Sequence, residues 1–124
     1  MTAHFNHTII AATDPARSAA FHRDILEATD APSWGVFTNI VIGDDVLLQF
    51  AAPPVEIQMQ HYAFLVDDDH FDRAYRYLTE HGIDHFADPF RQRPGEINHE
   101  HGGRGVYYFD PAGHGIELLT RPYL

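Results

Sequence analysis

One carboxylate stands where a soluble protein seldom places one. Glu117 interrupts the otherwise apolar stretch Ile116–Leu119, and burying its charge is unfavourable unless something positive compensates for it. The chain also contains ten histidines, the residue type that most often binds metals and that titrates near neutral pH. Metal binding or acid–base catalysis is the chemistry that these residue types indicate, and Glu117 is the first candidate for it.

A second set of candidates lies in the polar segment Phe90–Arg104. Loops on a rigid scaffold commonly carry specificity. An arginine can bind a carboxylate or a phosphate with two parallel hydrogen bonds, and a histidine can transfer a proton near neutral pH. The alternative is a solvated loop without a special role. The candidates are Arg91, Arg93 and Arg104 for an anion, and His99 and His101 for a proton.

A weak internal repeat predicts the elements that must position these residues. Strand-like segments Phe5–Ala12 and Met59–Val66 each contain a histidine, His7 or His61, and a helical pattern follows each one. In the first half, two strand-like runs follow the helix, at 35–42 and 46–51, with a turn at Gly43–Asp45 between them. In the second half, three follow it, at about 84–87, 105–109 and 115–120.

Helical periodicity is clearer in the second half. Apolar residues at i, i+3, i+4 and i+7 predict one buried stripe on a helix over about 70–81, with Asp69 as its cap and Gly82 at its end. The first helix is predicted over 15–27, with Thr13 or Asp14 as its cap and Pro15 in the first turn. The stripe consists of Phe71, Ala74, Tyr75 and Leu78.

The strands that carry the two histidines are apolar on both faces. Alternation places His61, Ala63 and Leu65 on one face and their even-numbered neighbours on the other. A helix would cover one face and the other would enclose something. Two such modules could close into a barrel-like cup that is lined by their odd-numbered faces.

Composition excludes several classes of function. The 124 residues carry a formal net charge of −10, which repels nucleic acid. No apolar run is long enough for a membrane span, and the first residues lack the pattern of a secretory signal. Cysteine is absent, so disulfides, thiolate ligands and cysteine nucleophiles are excluded. We expect a cytoplasmic protein of one domain, with module one at about 4–53 and module two at about 58–122.

The carboxyl-terminal segment reads Tyr-Phe-Asp-Pro-Ala-Gly-His-Gly-Ile-Glu-Leu over Tyr108–Leu118. With His7 on the first strand and His61 opening the repeat, it resembles the vicinal oxygen chelate superfamily, which includes glyoxalase I, extradiol dioxygenases, fosfomycin resistance transferases and bleomycin-binding proteins. The resemblance implies an α+β fold of two βαβββ modules that form a curved, barrel-like mixed sheet around a metal.

The resemblance also implies a ligand set, because His7, His61 and Glu117 match the metal-binding positions of the superfamily. Two imidazoles and one carboxylate leave coordination sites open on Fe, Mn, Zn or Ni. Gln49 aligns with a fourth ligand of glyoxalase I, although it could also face the cup without binding metal. Tyr107 resembles the tyrosine of extradiol dioxygenases that hydrogen-bonds substrate, with a role in lining the cup as the alternative.

Several functions follow from the resemblance. The first is a lyase, isomerase or dioxygenase whose metal binds two neighbouring oxygens of a small substrate, with Trp34 and Phe37 as aromatic contacts. The second is sequestration of a drug or toxin, as in bleomycin resistance, and the third a structural metal. Fosfomycin transferases carry a threonine where this chain has Ile9, and a carboxyl-terminal arginine beyond Leu124, which argues against that activity. Single-domain relatives commonly pair, so we expect a homodimer.

Overall fold

The computed structural model describes residues 2–124, so Met1, the first residue of the predicted domain, lies outside the described residues. The chain forms two compact units, one up to Gln58 and one from Met59. The first contains β1 (His7–Ala11), α1 (Pro15–Leu26), β2 (Thr29–Asp30), β3 (Thr38–Ile42) and β4 (Val46–Ala51). The second contains β5 (His61–Leu65), α2 (Asp68–Glu80), β6 (His85–Phe86), β7 (Gly105–Phe109) and β8 (Gly115–Leu119), with a 3₁₀ turn at Glu100–Gly102.

Both units have the predicted βαβββ order and the same sheet topology. The strand orders are β1-β4-β3-β2 and β5-β8-β7-β6. In each sheet the first strand runs parallel to the last, and the remaining neighbours are antiparallel. The predicted α+β fold of two modules is confirmed, and its mixed sheet consists of two four-stranded sheets.

The two faces of the histidine-bearing strands differ in exposure. On β1, Ile10 is buried, whereas His7 and Ile9 are exposed. On β5, the odd-numbered residues from His61 to Leu65 are exposed and the even-numbered ones are partly buried. Alternation along a strand explains this difference, because one face packs into the core of its unit. The face that the sequence predicts to line a cup is the face with the exposed side chains.

The predicted helices form, but one of the predicted caps is wrong. The side chain of Asp67, and not that of Asp69, caps α2 by accepting a hydrogen bond from the His70 N–H at 2.7 Å. Asp69 lies inside the first turn, where its charge still suits the helix dipole. At α1 the cap is Asp14, as predicted, and it accepts from the Arg17 N–H at 3.2 Å. None of the helices within residues 2–124 has both the length and the apolar character of a membrane span.

Asn98 attaches the long segment between β6 and β7 to the sheet. Its buried amide donates to the carbonyl of Ala87 at 2.8 Å and accepts from the Glu100 N–H at 3.2 Å. Its backbone forms two further hydrogen bonds with Gly105, the first residue of β7. A Cβ atom on Gly105 would lie 2.8 Å from Oδ1 of Asn98. Glycine is therefore required at 105 because the amide lies against the backbone there.

We predict that Gly105→Ala lowers the free energy of unfolding by about 1–3 kcal/mol through overpacking. In an Asn98→Ala background the same substitution should be nearly neutral, because the amide that it meets is gone. Urea unfolding of the wild type, both single variants and the double variant forms a double-mutant cycle that measures this coupling. Equal losses from Gly105→Ala in both backgrounds would show that the contact is not the cause.

Candidate metal and substrate site

Glu117 occupies the middle of β8, between β5 and β7. It is only 4% exposed, and its register partners are Ala63 on β5 and Tyr107 on β7. A buried carboxylate at this position must be compensated by hydrogen bonds or by a positive charge. The contacts of its two oxygen atoms therefore define the site.

Each carboxylate oxygen of Glu117 has a different partner. Oε1 lies 3.1 Å from Nε2 of His61, and Oε2 accepts a hydrogen bond from the hydroxyl of Tyr123 at 2.6 Å. The hydrogen bond to Oε1 requires the tautomer of His61 that carries its proton on Nε2, or the imidazolium. Neither partner is a permanent cation, so a positive ion can still offset the buried charge.

Two tyrosine side chains, Tyr107 and Tyr123, also contact this carboxylate. Burial raises the pKa of Tyr107 well above its usual range, and a hydrogen bond to Tyr123 and the charge of Glu117 raise it further. The hydrogen bond to Glu117 also raises the pKa of Tyr123. The centroid of the Tyr107 ring is 6.0 Å from that of His61. Both hydroxyls are therefore protonated hydrogen-bond donors at neutral pH.

The turn between β7 and β8 explains how His61 comes to lie beside the glutamate. Oδ1 of Asp110 accepts hydrogen bonds from the N–H groups of Ala112 and His114, at 3.0 and 2.8 Å. The buried His114 then accepts the N–H of Gln60 through its Nδ1 atom at 3.0 Å. The turn thus holds the residue that precedes His61 and aligns the starts of β5 and β8.

A cavity of about 300 Å³ opens beside His61 and Tyr107. Its volume is at the lower end of the range of about 300–1,000 Å³ that is usual for small-ligand sites. A larger open groove of about 470 Å³ lies between the end of α2 and β6, but no predicted site residue lines it. The cavity beside His61 is mostly aromatic, and its lining includes Met59, Phe86, Phe90, Arg91, Tyr107 and Phe109.

Asp88 shapes the rim of this cavity. Its carboxylate accepts hydrogen bonds from the N–H groups of Phe90, Gln92 and Arg93, at 2.8 to 3.2 Å. Desolvation raises the pKa of Asp88, but these hydrogen bonds outweigh it and the net pKa is lowered. The chain around Asp88 brings Arg91, in a left-handed conformation with φ of 60°, over the ring of Phe109 at 5.0 Å. Among the predicted anion-binding arginines in residues 2–124, Arg91 is the one that lines the cavity, and this loop holds it there.

The other candidates from the polar segment have different surroundings. Arg104 donates to Asp72 at 2.7 Å and to Asp68 at 3.2 Å, and its guanidinium lies 4.5 Å from the centroid of the Phe71 ring. These contacts attach the segment to α2, and a substrate-binding role for Arg104 stays a prediction. The ring of His101 stacks on that of Tyr123, with centroids 4.3 Å apart. Arg93, His99 and His101 are exposed.

The first unit presents an equivalent set of positions. Gln49 on β4 pairs with Ile9 and Asn39, as Glu117 pairs with Ala63 and Tyr107 in the second unit. His7 precedes Ile9 by two residues and is exposed, with its Nδ1 2.7 Å from Oδ1 of Asn6. Gln49 is 5% exposed. Of the predicted aromatic contacts, Trp34 is exposed and Phe37 is half-buried.

His61 and Glu117 bring together two of the three predicted metal ligands, and their donor atoms suit a metal ion. Imidazole nitrogen and carboxylate oxygen are ligands of the divalent first-row metals, and a cation would offset the buried charge. In the described residues no group of three or more histidine, aspartate or glutamate side chains is close enough to hold a metal. The predicted third ligand, His7, belongs to the first unit.

Sequence reasoning did not identify three of the residues that shape the site. Tyr123 was missed because it lies beyond the recognisable motif. The structural roles of Asp110 and His114 depend on a turn geometry that their spacing alone does not reveal. The Asp88-Pro89 pair was the available signal for the loop at the rim, since aspartate commonly accepts from backbone N–H groups in turns.

Comparison with known proteins adds independent information on this fold and site. A family model described as "Glyoxalase/Bleomycin resistance protein/Dioxygenase superfamily" matches residues 4–118. The solved structure "Oxidase ChaP-H2" is 48% identical, with a TM-score of 0.95 over 99% of this chain and 97% of the other.

Two curated relatives are transferases. "Glutathione transferase FosA" of Serratia marcescens is 28% identical over 91% of this chain and 77% of its own length. "Metallothiol transferase FosB" of Staphylococcus epidermidis is 28% identical over 93% of this chain and 80% of its own length.

We predict that Asp88→Ala lowers the thermal unfolding midpoint and speeds hydrogen exchange at the amides of Phe90, Gln92 and Arg93. The lowered pKa of Asp88 means that its stabilisation is complete above the usual value of 3.8 and is lost as the pH falls through the lower folded value. The difference in midpoint between wild type and variant should therefore shrink in acid. A difference in midpoint that stays constant as the pH falls well below 3.8 would contradict a role for the ionised carboxylate. Asp88→Asn is the control that removes the charge.

Proposed function

Because the chain belongs to the glyoxalase/bleomycin resistance protein/dioxygenase superfamily, we propose that it is a metal-dependent enzyme in which His7, His61 and Glu117 bind one divalent ion. The observation that carries this proposal is the buried carboxylate of Glu117, which lies 3.1 Å from His61. In the part of the chain that the structure describes, its two hydrogen-bond partners at known distances, His61 and Tyr123, are not permanent cations. Two imidazoles and one carboxylate suit Fe, Mn, Zn or Ni. When bound, such an ion acts as a Lewis acid toward substrate oxygens.

The side chains of the second unit have distinct roles toward a substrate in the cavity beside His61. On substrate binding, the hydroxyl of Tyr107 exchanges its hydrogen bond to Tyr123 for one to a substrate oxygen next to His61. The guanidinium of Arg91 binds a negatively charged substituent at the rim. Aromatic walls that include Phe86 and Phe109 exclude water and stack on a planar ring. We therefore propose a small aromatic substrate with neighbouring oxygen atoms.

Proton transfer is assigned to the polar side of the same unit. His99 and His101 remain the candidates for an acid or a base, and Glu117 is a third. The ring of His101 stacks on that of Tyr123 at 4.3 Å, and Tyr123 contacts the carboxylate of Glu117. Both histidines are exposed, but the stacking on Tyr123 connects His101 to the site. This arrangement favours His101.

His7 and Gln49 complete the proposal from the first unit. Their positions correspond by strand register to those of His61 and Glu117. The first module therefore has an imidazole where the second has His61, and a neutral amide where the second has Glu117. We propose His7 as the third ligand and Gln49 as a further ligand or a contact for substrate. We also propose a homodimer, because single-chain members of this family commonly pair and can share ligands between subunits.

Among the reactions of the superfamily, an oxidation is the one that the comparisons favour. The chain is 48% identical to a structure named as an oxidase, whereas its identity to the named transferases is 28%. The name "Metallothiol transferase" also supports metal binding in the group. Oxygen uptake separates an oxidase or dioxygenase from a lyase or isomerase, which consume no oxygen.

Metal binding is the first test. Purified wild-type protein should bind one Mn²⁺ or Fe²⁺ per subunit in calorimetry and elemental analysis. Glu117→Gln and His61→Ala should each weaken binding by more than about 100-fold, since loss of a direct ligand exceeds the effect of outer-shell partners. His7→Ala tests the ligand from the first unit, and His4→Ala is the control for nonspecific binding by an exposed histidine. Wild-type affinity in Glu117→Gln would contradict the proposed site.

Activity is the second test. Reconstituted protein should consume oxygen with a catechol. Tyr107→Phe should lower kcat by about 100- to 1,000-fold, which is the usual effect of losing one hydrogen-bond donor to a developing negative charge. Arg91→Ala should raise KM for substrates that carry a carboxylate more than for neutral ones. Turnover of methylglyoxal and thiol without oxygen uptake would assign the lyase reaction instead.

The aromatic cavity also supports a second function, the metal-independent sequestration of a small apolar compound. Its walls would bind a planar ligand whether or not a metal is present. Under this alternative, an aromatic probe such as naphthol binds equally well to wild type and to Glu117→Gln, and neither protein retains a metal. Metal retention by the wild type together with oxygen uptake excludes it.

A further inference from the structure

We propose that Tyr123 is a positioning residue that holds Oε2 of Glu117, so that Oε1 faces His61 and is the oxygen offered to a metal. The inference rests on the proposed metal site and adds to it a residue outside the segment that matches the family model, which ends at residue 118. The observation that carries it is the 2.6 Å hydrogen bond from the Tyr123 hydroxyl to Oε2, while Oε1 lies 3.1 Å from His61.

The path of the chain shows that this contact requires a reversal after β8. Six residues of extended chain would span about 20 Å, yet the hydroxyl of Tyr123 reaches the carboxylate of Glu117. Backbone pairing continues as far as Thr120, whose N–H donates to the carbonyl of Arg104 at 2.9 Å. Pro122 then follows, and a proline cannot donate the next ladder hydrogen bond. The chain already bends at Thr120 and Arg121, and this bend brings the hydroxyl of Tyr123 back to Glu117.

Two contacts hold the returning tail in place. The ring of Tyr123 stacks on His101 with centroids 4.3 Å apart and planes 28° apart. The chain before it lies against Gly103, where a Cβ atom would be 2.5 Å from Cγ of Arg121 and 2.6 Å from Oγ1 of Thr120. Glycine at 103 therefore lets the tail approach the 3₁₀ turn. The tail is positioned by the same segment that carries the acid–base candidates.

The consequence for Glu117 follows from the number of acceptor sites. A carboxylate can bind a metal through one oxygen or through both. A donor that occupies Oε2 at a short distance disfavours the second mode and fixes the rotation of the carboxylate group. Outer-shell partners of this kind typically change metal affinity by about 10- to 100-fold when they are removed. The hydroxyl of Tyr107 contacts both Tyr123 and Glu117, so it belongs to the same group of hydrogen-bonded side chains.

The test compares metal affinity in variants that separate the hydroxyl from the ring. Tyr123→Phe keeps the stacking on His101 and removes the donor, and it should weaken Mn²⁺ binding by about 10- to 100-fold in calorimetry. Tyr123→Ala should weaken it to a similar extent. Tyr77→Phe on α2 is the matched control and should bind like the wild type. The absorption spectrum of the Co²⁺-loaded protein, which reports ligand geometry, should change in both Tyr123 variants and not in Tyr77→Phe.

Each outcome bears on the proposal in a defined way. Wild-type affinity and spectrum in Tyr123→Phe, with a loss only in Tyr123→Ala, would show that the ring acts by packing and would overturn the role of the hydroxyl. Gly103→Ala, which displaces the tail without altering Tyr123, should weaken metal binding in the same direction, and its failure to do so would contradict the proposed path. A wild-type protein that binds no metal overturns the proposed function itself.

Discussion

The second unit is organised around the burial of one negative charge in the centre of a sheet. Removing a carboxylate from water is strongly unfavourable unless hydrogen bonds or a cation replace its hydration. Glu117 meets this requirement through His61 on one side and Tyr123 on the other. Because β8 lies between β5 and β7, the strands that supply hydrogen bonds to its backbone also supply side chains on the same face. The position of the charge and the topology of the sheet therefore depend on each other.

Much of the fold could be predicted from the sequence because its signals are local. Alternation marked β4, β5, β7 and β8 to within two residues, and the apolar stripe marked α2. The errors fall where local signals compete. Three consecutive aspartates, Asp67 to Asp69, stand at the start of α2, and any of them can cap a helix, so only the structure distinguishes Asp67 from Asp69. The two-residue strand β2 has too few residues for a detectable period, and its pairing with β3 defines it.

The site was predictable to the extent that it follows from the resemblance to the superfamily. That resemblance pairs His61 with Glu117 as expected metal ligands, and the structure brings these two together. Tyr123 could not be found this way, because its contact depends on a reversal of the chain that no periodicity records. Arg104 shows the opposite problem. Its side chain looked available for an anion, but two aspartates of α2 lie within reach in the folded unit, and sequence distance hides them.

The two modules share one register but differ in charge, and this difference bears on substrate choice. Where the second module pairs Tyr107 with Glu117, the first pairs Asn39 with Gln49, two neutral amides. In the proposed site a divalent ion would thus meet a single carboxylate and keep a net positive charge. The protein as a whole carries −10, so long-range attraction of an anion is weak, and screening limits such effects to about 8–10 Å in physiological salt. Under the proposed function, recognition of an anionic oxygen is then local, through the ion and Arg91 at the rim. A neutral Gln49 as a further ligand would preserve the positive charge of that ion, which an acidic residue would cancel.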